Sequence, residues 1–288
     1  MNPSLTIPAR RSRDRAPRSS FGRVARGAAI AVLVSIVLLP VYLTFASAFF
    51  PTGEFLRSGL LPPLSRLTFD NIATALGAVP FVPQYLTSIT VVVLQTAAQL
   101  ITSVLAAYAL VFPRWRLRGI AFGAIIVTLG VPGESLTISN YDLVSSMGLR
   151  DTVFGIVLPY LAAGYTVFLL RQAFAAFPFE VWEASRLDGC GHVRSLMGVV
   201  LPSCRAHLTT AALWSALSAW NGFFWPLLIT DSPQNRTIQV GVSQLVAGEI
   251  AVPPVIFAGA ALVLIPTVLL VIVSQRFLIG GMAAGALR

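Results

Sequence analysis

Phe179-Glu-Val-Trp-Glu-Ala-Ser-Arg-Leu-Asp-Gly189, continued by Cys190-Gly-His-Val-Arg-Ser-Leu-Met-Gly-Val-Val-Leu-Pro202, is the passage on which the fold turns. It is the only long polar interruption flanked on both sides by segments able to cross a bilayer. Pro178 suits the first turn of a helix, where a missing N–H removes no bond. Glu180, Glu183, Ala184 and Leu187 then recur at i, i+3, i+4 and i+7 and share one face. Asp188-Gly189 is a stop-and-turn signal, because glycine reaches positive φ without a steric penalty. A second short helix fits from about Gly191 to Val200, and Leu201-Pro202 ends it. The passage therefore predicts a helix–turn–helix outside the membrane, with Ala184 and Ser185 exposed beside a carboxylate.

Working outward, the 288 residues are 56% hydrophobic and 11% charged. A soluble domain carries about 25% charged residues, so this much apolar surface belongs in lipid. The formal charge is +9, all 20 basic residues are arginines, and there is no lysine. A P-loop needs its lysine on the β- and γ-phosphates, and a Schiff base needs one too. Both chemistries are excluded for this chain. If ATP drives the protein, another subunit binds it.

Residues 1–27 are rich in Arg, Ser and Pro and read as a disordered basic tail held near anionic lipid. Residues 28–50 form a first span of about 34 Å as a helix. Ala46-Ser47-Ala48 mimics a signal-peptidase site, but a cleaved signal has an apolar region of only about 7–15 residues, so the span is read as uncleaved. Residues 51–84 are punctuated by Pro and Gly and read mostly as an extracytoplasmic loop. Residues 85–275 are the transmembrane core. Its first span runs from Gln84 to Phe112, and its Ser88, Thr90, Gln95, Gln99, Thr102 and Ser103 are expected to face other helices or a wet cavity. The next span, from Gly119 to about Ile138, is broken by Gly130-Val131-Pro132-Gly133-Glu134, backbone tolerated only inside protein or along a cavity. Glu134 beside that break is a candidate pathway residue, unless it already lies at the outer surface. Asn140 and Tyr141 open a short outer loop, 140–152, and join Glu134 as candidates. The fourth span, from Val153 to about Gln172, is kinked by Pro159. The fifth, Ala206–Thr230, ends in Trp220-Asn221-Gly222-Phe223-Phe224-Trp225, aromatics suited to an interfacial belt or to stacking on sugars. A polar outer loop, 231–252, leads to the sixth span, Pro253–Ser274, and residues 276–288 form a tail.

The arginines set the orientation. With the N-terminus inside, only Arg57, Arg66, Arg150 and Arg236 fall outside. Both termini and the 178–202 passage are then cytoplasmic, and the high charge needs no nucleic acid to explain it.

Glu183-Ala184-Ser185, Gly189, Val199 and Leu201-Pro202 resemble the EAA loop of bacterial ABC-importer permeases, Glu-Ala-Ala-x3-Gly-x9-Ile-x-Leu-Pro. The spacing matches throughout, with Ser185 for the second Ala and Val199 for Ile. Leu67-Thr68-Phe69-Asp70-Asn71, Gly148-Leu149-Arg150-Asp151-Thr152, Trp220-Asn221-x3-Trp225-Pro226-Leu227 and the stretch from Gln275 to Ala286 resemble motifs of carbohydrate-type permeases, the last that of the maltose-type second permease. The resemblance implies an all-α, polytopic fold with six transmembrane helices and a coupling helix. It implies no catalytic residue and no cofactor in this chain, with ATP and Mg on a partner ATPase. Glu183, Ala184, Ser185, Asp188, Gly189, Leu201 and Pro202 would couple to that ATPase. Glu134, Asn140, Tyr141, Trp220, Asn221 and Trp225 would lie along the path of a sugar, amino sugar or glycerophosphate-type solute. The partners implied are a second permease, as a heterodimer or a homodimer, two ATP-binding subunits, and an extracytoplasmic solute-binding protein or lipoprotein, in a bacterial inner membrane.

Two other classes compete. A secondary transporter needs coupling groups within the membrane, and only Glu134 is available. A membrane enzyme needs convergent catalytic groups. Cys190, His192, Cys204 and His207 superficially resemble a zinc set, but the first pair is one residue apart, tight for two ligands on one ion, and no metal is expected.

Overall fold

The computed structural model describes residues 20–51, 67–247 and 252–285, with side chains placed over 26–51, 67–246 and 252–272. The expected basic tail, residues 1–19, lies outside them, as does most of the 51–66 segment. Every regular element among the described residues is helical. α1 (Ser20–Ala48) leads to a short α2 (Asp70–Ala78) and the long α3 (Phe81–Val111). α4 (Arg118–Leu129) is followed by a 3-10 turn, Gly133–Leu136, and α5 (Thr137–Ser146). α6 (Val153–Val157) runs into a second 3-10 turn, Leu158–Tyr160, before α7 (Gly164–Ala175). The polar passage holds α8 (Phe179–Leu187), α9 (His192–Ser195), a π turn at Leu196–Val200 and α10 (Leu201–Ser203). α11 (Arg205–Trp220), α12 (Phe224–Ile229), α13 (Ile238–Ala247) and α14 (Pro253–Gly285) complete the chain.

Three segments are long and apolar enough to span alone: Arg26–Ala48 of α1, α3, and Pro253–Ile272 of α14. Two more spans are bent pairs, α4 with Gly133–Ser146 at 94° and Val153–Tyr160 with α7 at 49°. The expected fifth span is also discontinuous. α11 is 16 residues long, and residues 221–223 separate it from α12.

Each break has a local cause and a local remedy. Pro132 is extended, at φ −65° and ψ 126°, and turns the chain out of α4. At the second break, the carbonyls of Tyr160 and Leu161 accept bonds from Gln99 Nε2 (2.8 Å) and Thr102 Oγ1 (3.1 Å) of α3. These polar side chains satisfy backbone that lipid could not. Ser88, Gln95, Gln99 and Ser103 are buried, as expected for residues facing other helices. Thr90 is exposed and bonds back to the Leu86 carbonyl of its own helix.

α3 is the central helix. It packs on α4, α6, α7, α11 and α13, while α1 lies against α14. Three buried clusters follow from this. Phe112, Phe174, Leu196 and Val200 fill the end carrying α8. Val91, Ile156, Trp225 and Ile229 form a second group, and Phe81, Trp220, Ile238 and Val255 a third.

Four segments are more helical than their sequence suggested. The 140–152 loop is largely α5, because no Gly or Pro interrupts it before Gly148, which takes φ 70°. The 231–252 loop contains α13, whose Ile238 and Val240 are fully buried. Within 51–84, α2 is anchored by buried Asn71, whose Nδ2 donates to the Ala48 and Phe50 carbonyls at the end of α1 (2.9 and 2.7 Å). Residues 276–285 continue α14 as helix instead of leaving it as a tail.

Candidate functional site

α8 presents Glu180, Glu183, Ala184 and Leu187 as one exposed face, with Leu187 89% exposed. The helix begins after Pro178, which is the capping residue and not part of the first turn. It ends in paired capping bonds: Gly189 N–H donates to the Arg186 carbonyl (3.1 Å) and Cys190 N–H to the Ser185 carbonyl (3.0 Å). This closure requires Gly189 at φ 81°. The Arg186 guanidinium also donates to the Cys190 carbonyl, so the turn is held from both sides. Asp188 is exposed beside it.

Ser185 differs from its expected exposure. It is buried, lies 2.9 Å from Ser195 Oγ of α9, and donates to the Trp182 carbonyl at 2.7 Å. A small hydroxyl here joins the two short helices where an alanine would only fill space. The second helix also runs further than expected, through Pro202 to Ser203. Pro202 lacks the N–H for a bond to the preceding turn, and the chain meets it through the π turn at Leu196–Val200. Leu201 packs on the cluster around Phe112, while Pro202 is exposed.

The helix–turn–helix is fixed to α3 by a set of contacts its sequence did not reveal. Trp182 Nε1 donates to the Tyr108 hydroxyl (2.9 Å), which lies 3.2 Å from His192 Nδ1. One hydroxyl thus ties α3, α8 and α9 together. Phe112 stacks on Trp182 and Phe179, with ring centroids 5.4 and 6.4 Å away. The spacing of these aromatics carries no signal, since Tyr108 and Trp182 are 74 positions apart. His192 is therefore a partner of Tyr108. Among the described residues no three His, Cys, Asp or Glu side chains converge as a metal set. Burial pushes the Cys204 thiol up from its ordinary pKa.

The pathway candidates lie apart from α8. Glu134 is exposed in the 3-10 turn after α4, and Asn140 and Tyr141 are half-buried on α5. Arg150 sits over the Tyr141 ring at 5.2 Å. Asn221 is exposed at the α11–α12 break and donates to the Leu217 carbonyl at 2.8 Å. The two tryptophans are buried in this chain's own packing. Trp225 Nε1 donates to the carbonyls of Gly155 and Ile156 (3.2 and 3.1 Å), and Trp220 packs beside Tyr85. As placed, neither offers a ring face to a passing sugar.

Arg150 also pairs with Asp231 at 3.0 Å. Asp151, at φ 57°, accepts from the amides of Asp231 and Ser232 (2.9 and 3.0 Å) and from the Ser232 hydroxyl. Burial works to raise its pKa. The bonds from the Ser232 hydroxyl and amide, the Asp231 amide and Asn235 outweigh that and hold the carboxyl below its ordinary value.

A helical bundle of broken spans carrying an exposed, glycine-terminated helix at one end is the architecture of an importer's membrane subunit. Residues 99–283 match the family described as binding-protein-dependent transport system inner membrane component, and the chain belongs to that family. It is the permease subunit of an ABC importer, a transport subunit and not an enzyme, with ATP hydrolysis on a separate subunit. The sn-glycerol-3-phosphate transport system permease protein UgpE of Agrobacterium fabrum is 30% identical over 262 residues, covering 86% of this chain and 92% of the relative. The protein of the same name from Yersinia pestis is 28% identical over 257 residues with the same coverage. A chain of a bacterial ABC transporter involved in import of the acidic polysaccharide alginate has the same fold, with TM-score 0.79, 22% identity, and coverage of 91% of this chain and 99% of that one.

Proposed function

We propose that this chain is one of two paired permeases that form the path for a carbohydrate-class solute, with sn-glycerol-3-phosphate the first to test. In this reading α8 couples the path to an ATPase. The carrying observation is the exposed face of Glu180, Glu183, Ala184 and Leu187 on a helix tied through Trp182 and Tyr108 to the central span. A short apolar and small-residue stripe suits a groove on a partner, and Glu183 suits a basic group in it. Closure of an ATPase dimer would then move α8 and α3 as one body and switch the bundle between outward- and inward-facing states. Asp188 and Gly189 set the turn, Leu201 anchors the returning chain, and Pro202 stands exposed beside it. Glu134, Asn140, Tyr141 and Asn221 remain available to line a path, whereas Trp220 and Trp225 are engaged in packing.

The arginine distribution supports a cytoplasmic α8 and cytoplasmic termini in a bacterial inner membrane. The transport systems of these relatives support the solute class. The full machine would add a second permease, two ATP-binding subunits carrying ATP and Mg, and an external binding protein. Uptake of labelled sn-glycerol-3-phosphate, and of disaccharides in parallel, tests this in cells carrying the whole transporter. Glu183→Ala and Gly189→Asp are expected to abolish uptake at normal membrane abundance. Normal uptake by both variants would overturn the coupling role, and uptake surviving ATP depletion would favour an ion-coupled carrier.

A further inference from the structure

Where α3 and α7 end and α4 begins, the bundle leaves a cavity of about 280 Å³ lined by Val111, Arg118, Gly119, Phe122 and Arg171. Arg118 and Arg171 are its two charged residues, and no carboxylate pairs with either among the described residues. Arg171 lies over the Phe122 ring at 4.5 Å, its Nη1 donates to Gln172 at 3.2 Å, and its buried Nε has no partner. The guanidinium is held by a ring face, with donor capacity unspent. α4 starts at Arg118 without a side-chain cap, so its positive end adds to the same field. Arg114 and Arg116 stand nearby in the connecting turn.

One guanidinium held by a ring and a second exposed at the rim, neither with a carboxylate partner among the described residues, suit a phosphate, whose oxygens accept paired bonds from the planar fork. A soluble phosphate and a lipid headgroup share that chemistry. The surroundings favour the lipid. Immediately beyond the cavity α4 turns apolar and exposed, with Ile120 at 71% and Val127 at 70% exposure. An acyl chain can lie along that face while its headgroup reaches the arginines.

We propose that this cavity binds the phosphate of an anionic phospholipid, with Arg118 and Arg171 as its ligands, and so fixes the junction between α3, α4 and α7. The inference goes beyond the transport reading and does not depend on the identity of the solute. It is tested on the full chain in mild detergent by native mass spectrometry, with phosphatidylglycerol, phosphatidylcholine or inorganic phosphate added. Phosphatidylglycerol is expected to remain bound where phosphatidylcholine does not. Arg118→Gln should weaken retention about fivefold, and Arg171→Lys, which keeps the charge but loses the fork, should also weaken it. Arg116→Gln, outside the cavity, should leave it within about twofold. Arg118 is exposed, so its variant tests the site even if changes at Arg171 disturb folding. Equal retention of phosphatidylcholine would overturn the selection of an anionic lipid, and equal loss in all three variants would overturn the site in favour of diffuse attraction. Displacement of the lipid by millimolar inorganic phosphate would overturn the lipid in favour of a soluble anion.

Discussion

Tyr108 Oη accepts from Trp182 Nε1 while lying 3.2 Å from His192 Nδ1, so a phenylalanine there leaves an indole N–H without its partner. Such a loss costs about 1 kcal/mol or somewhat more. Tyr108→Phe is expected to leave the fold intact and to lower transported solute per ATP hydrolysed, because α8 gains freedom relative to α3. Measuring uptake and ATPase activity side by side checks this; an unchanged ratio would make the hydroxyl merely structural. At the other end of the bundle, Asp151 ionises below the ordinary aspartate range. A depressed carboxylate stabilises above its unfolded pKa of about 3.9 and loses that contribution as pH falls through its native value. Asp151→Asn should therefore melt lower than wild type at pH 7, and the difference should shrink in acid below about pH 4. A difference unchanged down to pH 2 would contradict this assignment. At this scale the sequence was legible where one residue type has one use, as at Gly189. It was silent on Tyr108, and it misplaced Ser185 and the tryptophans, because burial depends on partners far along the chain.

At the scale of elements, polar residues within spans do structural work. Ser88 Oγ accepts from the Ile238 amide at 2.8 Å, and Gln84 Nε2 donates to the Pro233 carbonyl at 2.9 Å. Together they seat α13 on α3. Gly241 makes this possible, since a Cβ on it would come 1.8 Å from Gln84 Oε1. Gly241→Val should force Gln84 aside and destabilise the protein by about 1–3 kcal/mol. A fall in the melting temperature of the detergent-purified chain would register this, whereas an unchanged melt would show that α13 shifts freely. The breaks near Pro132 and Pro159 were legible because proline removes a donor. α5 and α13 were not: the polar α5 has the composition of a loop, and the apolar run of α13 is too short to read as a span. The break at residues 221–223 was hidden too, because the aromatics on either side of Asn221-Gly222 keep the stretch apolar overall.

At the scale of the whole molecule, α8 stands at one end of the bundle, while Glu134 lies beyond α4 and Asn221 beyond α11, toward the opposite ends of their helices. α3 connects the two regions, which makes a rigid-body transmission through it the simplest mechanical reading. Membrane class, helix–turn–helix and glycine stop were all legible in composition and spacing. The way one aromatic cluster joins α8 to the spans required the fold. In the proposed mechanism the exposed face of α8 sits in a groove of an ATP-binding subunit. Ala184→Cys, introduced after Cys190 and Cys204 are replaced by serine, places a thiol on that face for crosslinking in membranes of cells expressing the whole transporter. A crosslinked product containing the ATP-binding subunit, altered in yield by ATP, is the expected result. A thiol there that alkylates freely, yet forms no such product with the assembled transporter present, would contradict the account.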